Sequence, residues 1–71
     1  MAIIKKVKID SEYITLGQFL KFADLVSSGG EVRYFISSNK ISVNGETEDK
    51  RGRKLHKNDL ICVNDEQYQI C

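Results

Sequence analysis

The residues best suited to chemistry lie together between Lys50 and Lys57, where the chain reads KRGRKLHK. Five of these eight are Lys or Arg, and His56 is a sixth potential cation. Positive charge at that density suits a phosphate backbone. Each cation that meets a phosphate releases a condensed counterion, and the guanidinium forks of Arg51 and Arg53 can grip a phosphate with two parallel hydrogen bonds. A solvated charged loop is the alternative, because charge runs taken alone are weak motifs. The net charge of the chain is only +1, so it is the local gathering of cations that points to a polyanion.

Other chemistries find less support. One His and two Cys give no paired-ligand spacing, so no metal site is expected. Cys62 lies in an apolar run and reads as a buried thiol, while Cys71 reads as an exposed one. Glu46, Glu48 and Asp49 cluster without the spacing of a calcium loop. No nucleophile is set beside His56, and a chain of 71 residues has little room for a deep pocket as well as a core. No enzyme activity, cofactor or small-molecule substrate is therefore expected. No apolar stretch nears the ~20 residues of a membrane span, and Met1–Ile9 lacks the continuous apolar region of a signal peptide. The cytoplasm is the simplest location, with no membrane partner.

The elements that must position these cations are legible in part. Residues 3–9 alternate, with Val7 and Ile9 against Lys6 and Lys8, as a short strand does. Thr15–Gln18 is a capping-box pattern, with Ile14 and Phe19 spaced as a hydrophobic staple. Leu16, Phe19, Leu20, Ala23 and Val26 then mark one helical face, which Gly29 and Gly30 end. Ser28–Glu31 repeats the capping-box pattern and starts a second helix after a tight turn. Val32, Phe35 and Ile36 form its buried stripe, and Arg33, Ser37 and Lys40 share a polar face. Tyr34 lies off the stripe, which suggests partial burial at the core's edge, with base stacking as the alternative. Ile41–Val43 reads as a strand running into an Asn44–Gly45 turn, where both residues tolerate positive φ. Residues 46–54 read as a loop or ragged hairpin. Leu60–Val63 and Gln67–Cys71 read as the last strands, with Tyr68 and Ile70 on one face. The fold class is α+β: two short helices in a helix-turn-helix-like pair, packed on a small, mainly antiparallel sheet. Residues 1–71 read as a single domain.

This arrangement resembles the S-four RNA-binding domain, named after ribosomal small-subunit protein four, over residues 15–63. Ser28, Glu31, Arg33, Phe35, Ile36, Ile41, Val43, Asn44, Gly45, Lys57, Asp59, Leu60 and Ile61 match its pattern without gaps. The chain is also similar to the stand-alone YaaA-like members in Thr15–Lys21, Ser28–Gly30 and Arg51–Leu55. It departs from the pattern in that Gly29 stands where many members carry an RNA-contacting Arg. Asn39 and Asn58 stand where glycines are usual, and Asn tolerates the left-handed conformation. The Arg often found at the first helix is absent from Thr15-Leu16-Gly17.

The resemblance implies the alpha-L RNA-binding motif, in which the helix pair and the following hairpin make one basic face. It would bring Lys21, Arg33 and Lys40 beside the basic loop, so the residues expected to serve RNA binding are Lys21, Arg33, Lys40, Asn44, Lys50, Arg51, Arg53, Lys54 and Lys57. The implied partner is structured RNA, ribosomal RNA foremost and transfer RNA the alternative, in a role such as ribosome assembly. Two other classes compete. One is a protein-interaction module with an incidental basic loop. The other is a sulfur-carrier-like protein, against which the Gln69-Ile70-Cys71 ending speaks, since carriers end in Gly-Gly.

Overall fold

A computed structural model describes residues 3–71. The chain runs β1 (Ile4–Val7), β2 (Tyr13–Thr15), α1 (Leu16–Phe22), α2 (Gly29–Ser38), β3 (Ile41–Val43), β4 (Glu46–Thr47), β5 (Lys54–His56), β6 (Leu60–Val63) and β7 (Glu66–Ile70). The main sheet has the order β1-β7-β6-β3-β4. All its pairings are antiparallel except β1 against β7. A separate two-stranded ribbon pairs β2 with β5, setting Tyr13 opposite His56 and Thr15 opposite Lys54. The class is α+β, as the pattern of elements predicts.

The core explains why these residues form these elements. Alternate residues of the main strands, Ile41, Val43, Ile61, Val63, Tyr68 and Ile70, point to one face and are buried. Leu16, Phe19 and Leu20 of α1 and Val32 and Ile36 of α2 cover that face. Phe19 meets Tyr68 edge-to-face, with centroids 5.3 Å apart. Leu55, fully buried in β5, pins the ribbon to the same core. Truncating a side chain of that kind costs about 2–5 kcal/mol.

The helix ends differ from the sequence expectations. α1 begins as expected: the Gln18 N–H donates to Thr15 Oγ1 (3.2 Å) and the Thr15 N–H to Gln18 Oε1 (3.1 Å). It ends at Phe22, well short of Gly29 and Gly30. Asp24 takes φ 62°, and the N–H groups of Asp24 and Leu25 donate to the carbonyls of Lys21 and Leu20. That is a Schellman stop built on Asp in place of Gly. Gly29 and Gly30 instead form the first turn of α2. Val26 is buried, but from the connection between the helices. The second capping box is incomplete, because Ser28 makes no side-chain cap bond and Glu31 Oε2 accepts from the Ser27 N–H (2.8 Å).

At the other end of α2, Asn39 is extended (φ −130°), and its Nδ2 donates to the Phe35 carbonyl (2.9 Å), so a left-handed backbone is not what closes this helix. Asn44, Gly45 and Asn58 do adopt positive φ, as the turn chemistry requires. Tyr34 is 75% exposed, not half-buried. It lies roughly 200° around the helix from Val32, away from the core. Cys62 and Cys71 are both half-buried, so neither the buried nor the exposed reading holds. No helix among the described residues is long and apolar enough to cross a membrane.

Candidate nucleic-acid interface

The basic segment owes its position to the start of α1. The first N–H groups of a helix have no partner within it. Here the Leu16 N–H donates to the Arg53 carbonyl (2.8 Å) and the Gly17 N–H to the Arg51 carbonyl (2.9 Å). Gly17 permits this approach, since a Cβ there would already touch the Arg51 carbonyl oxygen and Val32 Cγ1, each at 3.4 Å.

Glu48 shapes the segment from the other side. Its Oε1 accepts from Arg53 Nη1 at 2.7 Å, and its Oε2 accepts from the N–H groups of Asp49 and Lys50 at 3.2 Å each. The Glu48 side chain is only 11% exposed. The Arg53 guanidinium donating to it holds its carboxyl below the usual carboxylate range. A half-buried carboxylate is favoured by such partners, so Arg53 is committed to holding the segment together.

Two connected depressions result. A cleft of about 680 Å³ separates Arg33, Ile36 and Ser37 of α2 from Asp49, Lys50, Arg51 and Gly52. A smaller groove of about 270 Å³ continues past Arg51 and Gly52 to Gly29, Gln18 and Lys21. Lys21, Arg33, Lys50 and Arg51 therefore line one continuous trough, and no ion pair among the described residues holds any of them. Asp49 is the carboxylate among the lining residues. Unpaired cations along an open trough can exchange hydration and counterions for phosphate oxygens.

The other residues singled out in the sequence lie elsewhere. Lys54 leaves the trough along β5, and its Nζ sits 5.0 Å from the Tyr13 ring centroid. Lys57 is exposed in the turn after β5, beside Asn58. Asn44 is a clamp: its Oδ1 accepts from the Leu60 N–H (2.9 Å) and its Nδ2 donates to Asp59 Oδ1 (3.2 Å). Lys40 does not share a helical face with Arg33, because α2 stops at Ser38. The Lys40 N–H donates to Asn64 Oδ1 (3.1 Å), and Lys40 borders a separate hollow with Thr47, Cys62 and Asn64. His56 donates its backbone N–H to Asp59 Oδ2 (2.8 Å) and sets its ring 6.1 Å from Tyr13.

Gln18 and Gly52 line the trough without having been singled out. Their place in the trough depends on the segment docking against α1, which neither the capping box of Gln18 nor the basic run around Gly52 encodes.

A family model described as S4 domain matches residues 7–71. The chain is also similar to a Bacillus subtilis (strain 168) protein described as "Probable ribosome maturation protein RlbA". The two are 49% identical over 55 residues, which cover 78% of this chain and 78% of that protein.

Proposed function

The chain belongs to the S4 domain family, and from that premise we propose that it binds structured RNA, ribosomal RNA foremost, without performing a reaction on it. The observation that carries this reading is the trough itself, where Arg33 faces Lys50 and Arg51 across a cleft and Lys21 extends the line. Lys and Arg on two walls suit the two flanks of a phosphate backbone, and recognition of paired RNA rests on shape and on such backbone contacts. Arg53 and Asn44 act in this reading by fixing the walls. Lys54, paired opposite Thr15, adds charge beside the trough, and Lys57 and Lys40 contribute at longer range. The relative's description as a ribosome maturation protein supports a ribosomal precursor in the cytoplasm as the target.

The test is capture of the tagged chain from lysate with and without ribonuclease, with sequencing of RNA crosslinked to it. Recovery of ribosomal RNA that ribonuclease abolishes is the expected result. Transfer RNA in its place would redirect the reading, and partners that survive ribonuclease would replace it with a protein-interaction role.

A further inference from the structure

Two large apolar side chains beside the trough have no core to serve. Phe22, the last residue of α1, is 62% exposed, and Tyr13 in β2 is 41% exposed. Phe19 and Leu20 already fill the buried face of this helix. Phe22 also lacks the polar tip that would reconcile an aromatic ring with water.

Tyr13 and Phe22 border the same hollow of about 460 Å³, with Ser11, Ile14, Gln18 and Lys21. Gln18 and Lys21 line the cationic trough as well, so the hollow opens directly from it. Its lining holds a cation and no carboxylate, and Lys54 Nζ and the His56 ring lie 5.0 and 6.1 Å from the Tyr13 ring centroid. Exposed rings with lysines close by are what unpaired nucleotides require. Every base has a face that stacks on an aromatic ring, and the linking phosphates are drawn to the cations. A base-paired duplex hides those faces, so the hollow suits a segment different from the one that suits the trough.

We infer that the hollow between Tyr13 and Phe22 holds an unpaired nucleotide of an RNA whose paired part lies in the adjoining trough. The inference rests on the RNA-binding reading and adds a single-strand subsite to it. The trough takes backbone phosphates, Lys21 meets the phosphate at the junction, and the rings take the base beyond it. The preferred ligand is a hairpin or duplex with an unpaired extension.

The test measures binding of the full chain, by fluorescence anisotropy at fixed salt, to three RNAs: a blunt hairpin and the same hairpin with a short unpaired 5′ or 3′ tail. One tailed form is expected to bind roughly tenfold more tightly than the blunt one, the gain typical of a stacked base. Phe22→Leu, which keeps apolar bulk but removes the ring face, is expected to abolish that gain and leave blunt-hairpin affinity unchanged. Phe22→Trp is expected to keep the gain. Quenching of 2-aminopurine in the tail reports the stack directly. Equal binding of blunt and tailed RNAs by the parent overturns the inference and spares the trough. A gain that survives Phe22→Leu also overturns it, and leaves the ring pair to a protein partner. If the parent binds none of the three, the RNA-binding reading fails first and the subsite with it.

Discussion

Arg51 and Arg53 are two residues apart in the same basic run, yet their replacement should have opposite consequences. Arg51 lines the trough and no ion pair among the described residues holds it, whereas Arg53 donates to Glu48 at 2.7 Å. If Lys21, Arg33, Lys50 and Arg51 each meet one phosphate, log affinity should fall against log salt with a slope of about −3.6, taking about −0.9 per contact in a duplex. Between 50 and 200 mM salt the parent should then lose about 150-fold in affinity. Arg51→Ala should lose only about 40-fold over the same range, its slope having fallen to about −2.7. Its Tm should not move, because the replaced atoms make no side-chain hydrogen bond or ion pair among the described residues. Arg53→Ala should leave the slope near the parent's. It removes a charge-assisted hydrogen bond from a largely buried carboxylate, tempered by the 40% exposure of the Arg53 side chain. The cost should be about 1–2 kcal/mol. In a domain of this size that lowers Tm by about 4–16 °C. Anisotropy titrations at several salt concentrations, with thermal unfolding of the same samples, measure both quantities. An unchanged slope in Arg51→Ala removes that residue from the interface. A reduced slope in Arg53→Ala with Tm intact means that its pairing with Glu48 gives way to phosphate.

Other perturbations are as specific. Gly29→Arg places a cation beside Lys21 and Arg51, and a Cβ at position 29 meets nothing within 4 Å. RNA affinity should rise and the salt slope steepen by about 1, with no loss of Tm. Asp24→Gly relieves a non-glycine residue at φ 62°. Denaturant unfolding should show about 0.5–1 kcal/mol of added stability, and a loss would mean that the Asp24 side chain has a role of its own. Below neutrality, the stabilisation from Glu48 should be complete above its ordinary pKa of 4.5 and vanish as pH falls through its lower folded-state value. Glu48→Gln should flatten that acid limb in stability measured against pH. At high pH, burial and the hydrogen bond to Glu66 push Tyr68 up to about 12. The stability linked to Tyr68 should be complete below its ordinary value of 10 and disappear as pH climbs through about 12, a loss that Tyr68→Phe should remove.

The sequence was most informative where structure is local. The Thr15–Gln18 box, the Asn44–Gly45 turn and the placing of Tyr68 and Ile70 on one face depend on residues within a turn of one another and form as their patterns predict, although the last strand runs Glu66–Ile70 and not Gln67–Cys71. The β2–β5 ribbon was invisible because each strand has only three residues and the partners lie some 40 positions apart. The polar stretch 46–54 holds β4 of the main sheet and ends on the first residue of β5 in the ribbon, a change of sheet that no local pattern encodes. Charge type draws attention to the run whose Lys50 and Arg51 line the trough. It could not separate Arg51 from Arg53, since that depends on where Glu48 points. Helical spacing groups Lys40 with Arg33, and that spacing loses its meaning once Asn39 turns extended. Phe22 fell outside every pattern because its exposure follows from α1 ending there.

The two bonds from Leu16 and Gly17 to the carbonyls of Arg53 and Arg51 make the wall of the trough part of the folded body and not an arm hung from it. A ligand that meets this wall finds it already ordered, so association carries little entropic penalty for freezing it and needs no slow closing step. The same two bonds join fraying of the first helical turn and release of the cationic segment into one event. A ligand that grips the segment thereby holds the helix shut, and its binding free energy appears as protection of those two amides against hydrogen exchange. A lesion in the core beneath Leu16 would travel the other way and slacken the wall without touching any cation.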